Sequence, residues 1–303
     1  WMQLTQMLLQ LTGDTKYADA IEKLMLNHVF AAQDALTGTC RYHTAPNGTK
    51  PNGYFHGPDC CTASGHRIIS LLPTFFYAQK GNKFYINQLL PSGYKAADVD
   101  FTVGGNYPTG ENVVITINKC KSKTLNIRIP AWCENPSVSI NGKTIAGVKA
   151  GTYCSLKRRW KAGDKIEVNL PMKLQWVKRE HHADYEKYYL KDGEIMYREH
   201  PTNNIPYALM RGPVVYCVDM VWNPQIGNDD VDIKNNMAFD TSVLPKQVAL
   251  PDSSLLGPCY EVQAVYMGKP VTLAMTPFCS IGDRKSTRLN SSHSRASRMP
   301  SSA

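Results

Sequence analysis

The stretch Gly81-Asn-Lys-Phe-Tyr-Ile-Asn-Gln-Leu-Leu90 decides the fold, because the spacing of the apolar residues changes there. Before it, apolar residues recur at the three- and four-residue intervals of a helix. After it they alternate, which is typical of strands. The helices therefore come first and the strands second, and this order predicts an α+β protein with separate helical and β units rather than a doubly wound sheet.

The helical part is predicted to contain three helices. The first two form a hairpin over residues 1–33, since Gly13 suits the end of one helix and Asp14 the start of the next. A third helix is predicted over residues 64–79, with a bend or a break near Pro73. Three helices do not close a helical domain by themselves, so further helices are expected upstream of the first residue.

The β part is predicted to contain two units. Short strands separated by turns at Asn141-Gly142 and Ala162-Gly163-Asp164 are typical of a β-sandwich. Beyond about Leu174 the pattern weakens, but further strands indicate a second β-rich unit. The predicted strands are Phe84–Leu90, Val113–Ile117, Leu125–Ile129, Ser137–Ile140, Lys165–Leu170, Met210–Cys217 and Pro258–Tyr266.

The sequence divides into four segments: a helical one over residues 1–79, a β-sandwich over 80–181, a second β-rich unit over 182–282 and a tail over 283–303. The tail contains five basic residues and one acidic residue and is rich in serine and arginine, which fits a disordered segment. It resembles a translated sequencing adapter. We therefore interpret the tail as an extension without a functional role.

The net charge of +9 raises the question of a nucleic-acid partner. The tail accounts for +4 of it, which leaves +5 on the other 282 residues, so we expect no nucleic-acid partner. No apolar run reaches the roughly 18 residues that span a bilayer, so we expect no membrane partner either. The nine cysteines lack the regular spacing of a disulfide framework.

The most chemically distinctive stretch is His56-Gly-Pro-Asp-Cys-Cys-Thr-Ala-Ser-Gly-His-Arg67. Adjacent cysteines are poor disulfide partners, because a trans peptide holds their Cα atoms about 3.8 Å apart and disulfides need roughly 4.4–6.8 Å. Two thiols before a helix indicate a metal site or a reactive thiolate, since a helix N-terminus and a zinc ion each stabilise a thiolate. The competing interpretation is a pair of buried thiols at a helix entry.

Histidines and tyrosines near the cysteine pair are further candidates. His43, His56 and His66 could bind zinc, contact a sugar or be solvated loop residues. Tyr42 and Tyr54 could stack on a sugar ring or pack against the protein.

At these residues the sequence resembles glycoside hydrolase family 127, the β-L-arabinofuranosidase family and its relatives. The resemblance covers about residues 1–282. Its strongest pieces are Trp1-Met-Gln-Leu4, Leu11-Thr-Gly-Asp-Thr-Lys-Tyr-Ala-Asp19, Cys60-Cys-Thr-Ala-Ser-Gly65, Ile127-Arg-Ile-Pro-Ala-Trp132, Ser139-Ile-Asn-Gly-Lys143 and Met210-Arg-Gly-Pro-Val-Val-Tyr216.

The resemblance implies the last part of an (α/α)6 barrel followed by two β-sandwich-type domains. It implies a retaining glycosidase with an oligosaccharide or glycoside substrate, in which Cys60 is the zinc-bound nucleophile and Cys61 a second zinc ligand. Tyr42 and His43 are the candidate sugar contacts. The remaining zinc ligands, in a Glu-x-Cys motif, and the acid/base glutamate are expected upstream of Trp1, and a chain without them is expected to be inactive.

Two other functions stay open. A non-catalytic carbohydrate-binding β-sandwich protein would use the helices only as a platform. A thiol redox or structural zinc protein would more usually show a Cys-x-x-Cys pair, which this sequence lacks. A Glu-x-Cys motif directly upstream of Trp1 would favour the hydrolase.

Overall fold

The structure, a computed structural model, describes most of the chain. The chain is mixed α and β, with many strands and few helices, which confirms the α+β prediction at that level. The predicted tail, residues 283–303, lies outside the described residues. No helix of the described part has the length and apolar character needed to cross a membrane. The described residues are 1–33, 38, 40, 60–121, 123–178, 185–191, 194–199, 207–226, 236–251 and 256–280, without the side chains of 61, 62, 185–191 and 194–199.

The described helices all precede the strands, apart from one short turn at residues 278–280. Their bounds are α1 Met2–Thr12, α2 Thr15–Lys23, a π-helical turn Leu24–Val29, α3 Phe30–Ala32, α4 Cys60–Leu71 and a 3-10 turn Leu72–Phe75.

The predicted helical hairpin is confirmed. Gly13 ends α1 in the left-handed conformation, with φ of 69°, and its amide donates to the Leu9 carbonyl at 2.8 Å. The Asp14 side chain then caps α2 by accepting a hydrogen bond from the Lys16 amide at 3.0 Å. A glycine that tolerates positive φ and an aspartate that accepts from a free amide therefore produce the reversal.

The third predicted helix ends earlier than its apolar spacing indicates. α4 gives way at Leu72 to the 3-10 turn, which has Pro73 at its start, so the predicted continuation to Gln79 is wrong. Residues Tyr77–Lys80 instead form strand β1. The Tyr77 ring packs edge-to-face on Phe101, with ring centroids 5.2 Å apart, and this contact belongs to the β core.

Ten strands form the first β unit. Their bounds are β1 Tyr77–Lys80, β2 Lys83–Ile86, β3 Ser92–Lys95, β4 Val99–Gly105, β5 Asn112–Cys120, β6 Thr124–Ile129, β7 Ser137–Ile140, β8 Lys143–Thr144, β9 Thr152–Lys157 and β10 Lys165–Asn169. They make a four-stranded sheet, β1-β2-β6-β9, and a six-stranded antiparallel sheet, β3-β4-β5-β10-β7-β8. Buried residues of both sheets, such as Ile115 and Ile127, belong to one apolar core.

The second β unit follows at once. Its described strands are β11 Leu174–Lys178, β12 Tyr185–Lys191, β13 Glu194–Glu199, β14 Tyr207–Arg211, β15 Val214–Val218, β16 Met237–Phe239, β17 Lys246–Val248, β18 Cys259–Tyr266 and β19 Lys269–Pro277. Seven of them form a sheet in the order β11-β14-β15-β19-β18-β16, with β17 also paired to β18, and β12 pairs with β13. A separate apolar core around Leu209 and Leu273 supports this sheet.

Candidate active site

Cys60 is the first residue of α4, and it is exposed. The first turn of a helix presents backbone amides that have no carbonyl partner within the helix. These amides and the helix dipole attract a negatively charged group at this position. Cys61 follows in the same turn, but its side chain lies outside the described residues.

Gly65 brings a second cysteine against the same helix. A Cβ on Gly65 would lie 2.6 Å from both the Cβ and the Sγ of Cys40, which is closer than real atoms approach. Cys40 is only 3% exposed, and burial raises the pKa of its thiol, so it serves as a packing group that stays protonated at neutral pH. The close approach of Cys40 therefore requires a glycine at position 65.

The backbone at Gly38 is fixed to α4 as well. The Gln33 Nε2 donates to the Gly38 carbonyl at 3.2 Å, and the His66 Nε2 lies 3.2 Å from the same oxygen. Because a carbonyl only accepts, this contact requires the His66 proton on Nε2. His66 is therefore an exposed helical residue with a backbone partner, and the interpretation of a solvated loop histidine is wrong.

The other predicted site residues, Tyr42, His43 and His56, lie outside the described residues. The structure thus brings the α4 residues Gly65 and His66 against Cys40 and Gly38, and it places Cys60 at the start of the same helix. Within the described residues, no three histidine, cysteine or acidic side chains are grouped closely enough to hold a metal ion.

A buried charge cluster, formed by Asp19, Glu22 and Arg128, joins α2 to β6. The Arg128 side chain is 0% exposed, and its guanidinium donates to both carboxylates, which lie one turn apart on α2. Its Nε donates to the Asn87 carbonyl at 2.6 Å. The cluster therefore connects the helical segment to the core of the first β unit.

Each carboxylate oxygen of the buried charge cluster has a donor. The Tyr107 hydroxyl and the Trp132 Nε1 donate to Glu22, at 2.6 and 2.9 Å. The Ala131 amide donates to Asp19 at 3.3 Å, and Arg128 supplies the other bonds. A buried charge is tolerated only when its partners replace water, and this arrangement does so.

Burial changes the acidity of these groups. It raises the pKa of Asp19, although the charge of Arg128 opposes this effect. It also raises the pKa of the Tyr107 hydroxyl, so this group stays a donor. For Arg128, burial lowers the pKa, but Glu22 and Asp19 outweigh it, and the guanidinium keeps its charge.

Sequence reasoning missed this cluster, although a signal was present. Two motifs of the family resemblance, residues 11–19 and 127–132, meet in it. Asp19 and Glu22 lie among the apolar positions of α2, whereas Arg128 alternates with apolar residues in β6, as Thr124 and Asn126 do. Charged residues on a face predicted to be buried indicate a paired cluster.

Asn27, in the π-helical turn, contacts the second β unit. Its Nδ2 donates to the Pro213 carbonyl at 2.8 Å, and its Oδ1 accepts from the Val215 amide at 2.8 Å. The same Nδ2 lies 2.8 Å from the Lys23 carbonyl. The helical segment therefore contacts the first β unit through the buried charge cluster and a shared apolar core, and it contacts the second through a neutral amide.

A groove of about 510 Å³ lies on the six-stranded sheet. Its lining is mixed polar and apolar, and the Ser139 hydroxyl donates to the Glu167 carboxylate at 2.8 Å between the paired strands β7 and β10. Other polar residues that line it are Asn112, Ser137, Thr144 and Asn169.

Two family models match the chain. The catalytic domain of the GH127 β-L-arabinofuranosidases matches residues 1–74, and the GH127 middle domain matches residues 83–172. The chain is also 24% identical, over 326 aligned residues, to a non-reducing end β-L-arabinofuranosidase of Bifidobacterium longum subsp. longum. That alignment covers 92% of this chain and 45% of the relative.

Solved structures show the same fold at low identity. A glycoside hydrolase aligns with a TM-score of 0.69 and 22% identity, over 94% of this chain and 49% of that one. A GH127 β-L-arabinofuranosidase from Geobacillus stearothermophilus T6 gives 0.67 and 20%, over 92% and 46% of the two chains. The chain therefore spans about half the length of the relatives it matches.

The two family models agree with the order of units in the structure. The catalytic-domain model covers the helices that hold Cys60, and the middle-domain model covers strands β2 to β10. Because the two matches together take in more than half of the sequence, this chain belongs to glycoside hydrolase family 127.

Proposed function

We propose that the chain carries the nucleophile-bearing part of a retaining glycoside hydrolase that acts on an arabinofuranoside, with Cys60 as the nucleophile. One observation carries the proposal: Cys60 lies within the matched catalytic-domain residues and is the exposed first residue of a helix. The sugar is taken from the names of the relatives, and its linkage is part of the proposal.

In this mechanism the Cys60 thiolate attacks the anomeric carbon of the sugar. The C–S bond forms while the bond to the leaving oxygen breaks, and an acid protonates that oxygen. Water then attacks the same carbon, releases the sugar with retained configuration and returns the thiolate. The chain supplies the thiol at the first residue of α4, and the acid/base glutamate is proposed to lie upstream of Trp1.

Zinc enters the proposal as the ion that keeps the Cys60 thiol deprotonated, with Cys60 and Cys61 as two of its ligands. Structural zinc sites have four protein ligands and catalytic sites usually three. The part of the chain that the structure describes brings no such set of donors together, so it does not form a complete zinc site. The remaining ligands are proposed to come from an upstream Glu-x-Cys motif.

The helical segment is proposed to be the end of an (α/α)6 barrel. One face of α1 is apolar and open to solvent, with Trp1 77% and Leu11 82% exposed and Leu4 and Met7 between them. An apolar row at this spacing is typical of a helix that packs against a neighbour. Since the chain spans about half of its relatives, we propose that helices of the missing part cover this face.

The two β units are proposed to be β-sandwich-type domains. In the first, two sheets share one core, which is the packing expected of a sandwich. Tyr42 and His43 stay in the proposal as sugar contacts. Only one and two residues separate them in the sequence from Cys40, whose side chain lies against the helix of Cys60.

The nucleophile is tested in the complete natural reading frame. Cys60→Ser and Cys61→Ser are compared with the parent for turnover of an aryl arabinofuranoside, for zinc content and for a sugar adduct in the mass spectrum. Cys60→Ser is expected to lose the adduct and at least about a thousandfold in turnover, because the covalent step is removed. Cys61→Ser is expected to lose zinc. An adduct on Cys61, or near-normal turnover in Cys60→Ser, would contradict the assignment.

The missing part is tested with the chain as given. It is expected to show no measurable turnover and only weak zinc binding, because the acid/base residue and two ligands are proposed to be elsewhere. Robust turnover by this chain would show that the proposal of a divided active site is wrong.

The groove on the six-stranded sheet supports a second candidate function, non-catalytic binding of a neutral oligosaccharide. Hydroxyl, amide and carboxylate groups of the kind that line it can bond sugar hydroxyls. This function predicts that Glu167→Gln weakens oligosaccharide binding, measured by calorimetry, and that Cys60→Ser does not. The opposite pattern would favour the hydrolase.

A further inference from the structure

One end of the first β unit concentrates positive charge. The strand ends and turns that meet there are the described residues of 80–83, 98–100, 117–124 without 122, and 157–164. They contain nine basic and three acidic residues, an excess of six positive charges. We call this surface the basic end; its basic residues are Lys80, Lys83, Lys119, Lys121, Lys123, Lys157, Arg158, Arg159 and Lys161.

Strand pairing brings these distant segments together. Thr124 lies between Lys83 and Lys157 in the four-stranded sheet. The Trp160 Nε1 donates to the Lys123 carbonyl at 3.2 Å, which holds the turn after β9 against the turn before β6. The basic end is therefore one continuous surface, although its residues come from four parts of the sequence.

Most of this charge has no counterion among the residues that the structure describes. Lys123 pairs with Asp98 at 3.0 Å, and Arg158 lies 3.7 Å from Asp164. The other seven basic side chains make no ion pair with a described residue, and the seven are exposed. Asp100, the third acid, accepts a hydrogen bond from the Asn118 amide at 2.8 Å.

The positive charge of the basic end is larger than the net charge of the sequence without its tail. Residues 1–282 carry a net charge of +5, whereas the basic end alone carries +6. The rest of that sequence is therefore close to neutral. A repulsive cluster of this kind costs stability, and this favours a role in which an anion compensates the charge.

We propose that the basic end binds an acidic polysaccharide, a polymer whose uronate carboxylates repeat along the chain. Carboxylates stay ionised at neutral pH, and lysine and arginine side chains attract them. Several weak contacts along one polymer add up, so the polymer would hold the enzyme near the neutral sugar branches it bears. The choice of a glycan among polyanions rests on the proposed function.

The residues of the basic end favour a polysaccharide over a single-stranded nucleic acid. Proteins that bind single strands use exposed aromatic rings on which bases stack. The sole aromatic residue of the four segments, Trp160, is buried, and Arg158 lies over its ring with 5.4 Å between the guanidinium and the centroid. Duplex DNA, which needs only phosphate contacts, is kept as an outcome of the test.

The test measures the affinity of the full chain for polygalacturonate. The variant Lys121→Glu/Lys157→Glu/Arg159→Glu reverses three exposed charges of the basic end. Its matched control, Lys149→Glu/Lys246→Glu/Lys269→Glu, reverses three exposed lysines elsewhere, so net charge and the tail are the same in both. The basic-end variant is expected to bind polygalacturonate at least about tenfold more weakly than the control. Raising the salt concentration should also lower the affinity of the parent for polygalacturonate.

Three results would overturn the inference: equal losses in the two triple variants, equal binding of neutral arabinan, or tighter binding of duplex DNA of matched length. The assay also separates this inference from the proposed function. Cys60→Ser should bind polygalacturonate normally, so a failure here leaves the nucleophile assignment untouched. If Cys60→Ser bound polygalacturonate normally and kept full turnover, only the nucleophile assignment would be contradicted.

Discussion

Arg128 and Arg159 lie in the same β unit and carry the same charge in opposite settings. Arg128 is enclosed by two carboxylates and a backbone carbonyl, with no exposed surface. Arg159 is exposed and has no ion-pair partner among the described residues. In the buried charge cluster every charge has a partner, whereas seven basic side chains of the basic end make no ion pair with a described residue. The buried charge cluster therefore holds the helices in place, whereas the basic end is available to a partner.

The largest effect is expected from breaking the buried charge cluster. Arg128→Met keeps most of the volume but leaves Asp19 and Glu22 buried without a counterion, which should lower the free energy of unfolding by about 3–5 kcal/mol. The measurement is urea denaturation. Arg158→Met is the control, since its pair with Asp164 is loose and partly exposed, and it should cost at most about 1 kcal/mol.

A double variant sharpens this result. Arg128→Met/Glu22→Gln removes one charge of each sign, so it should cost less than Arg128→Met alone. If both arginine variants lose the same free energy, burial does not distinguish the two regions.

A smaller effect is expected at the neutral contact of the helical segment. Asn27→Ala leaves the Pro213 carbonyl and the Val215 amide without their partner, which should cost about 1–3 kcal/mol in the same assay. Asn27→Asp should cost more than Asn27→Ala, because it places a carboxylate beside the Pro213 carbonyl. Asn118→Ala, at an exposed amide, is the control and should stay within about 0.5 kcal/mol of the parent.

The two regions should also differ in the sign of their pH dependence. Burial raises the pKa of Asp19 above 3.8, so the native state holds its proton more tightly than the unfolded chain. Its contribution to the free energy of unfolding therefore falls as the pH rises through 3.8 to the native pKa. The hydrogen bond from Lys123 lowers the pKa of Asp98, so its contribution is present above 3.8 and is lost as the pH falls through the native pKa.

Denaturation curves between about pH 3.5 and 6 would show this difference. Asp19→Asn should make the free energy of unfolding rise more steeply with pH than in the parent, whereas Asp98→Asn should make it rise less steeply. If both variants changed the slope of the free energy of unfolding against pH in the same direction, the predicted difference between the two regions would be wrong.

The smallest effect on stability is expected at the basic end. Lys121→Glu/Lys157→Glu/Arg159→Glu should change the free energy of unfolding by no more than about 0.5 kcal/mol, because the three replaced side chains are exposed and make no ion pair with a described residue. Added sodium chloride should stabilise the parent slightly more than the variant, since it screens the repulsion that the variant lacks. A loss of more than about 2 kcal/mol would show that these side chains support the fold.

Local pattern was sufficient for some strands of the first β unit, whereas β1, β3, β4, β8 and β9 were not predicted. The predicted strand Ser137–Ile140 has the observed bounds of β7, and Lys165–Leu170 is one residue longer than β10. These strands are short, alternate regularly and end at glycine turns, so their neighbours in sequence determine them. The α+β order followed from the same change of spacing.

Long-range contacts set the boundaries that the sequence did not predict. The predicted strand Phe84–Leu90 ends as β2 at Ile86, because the amides of Asn87 and Gln88 both donate to the Phe76 carbonyl. The buried charge cluster was missed for a similar reason: Arg128 and Asp19 are 109 residues apart in the sequence. Cys60 was predicted as a site residue because Cys61 follows it directly, which is a local signal, and its role stays a prediction.

The buried charge cluster also restricts how this gene can recombine. Its acids lie in the helical segment and its guanidinium in the β unit, so a crossover between positions 22 and 128 exchanges one half of the cluster without the other. A hybrid that inherits Asp19 and Glu22 but has an uncharged residue at position 128 would bury two carboxylates without a counterion. The helical segment and the first β unit are therefore expected to be inherited together. In shuffled libraries, stable hybrids should take positions 19, 22 and 128 from the same parent.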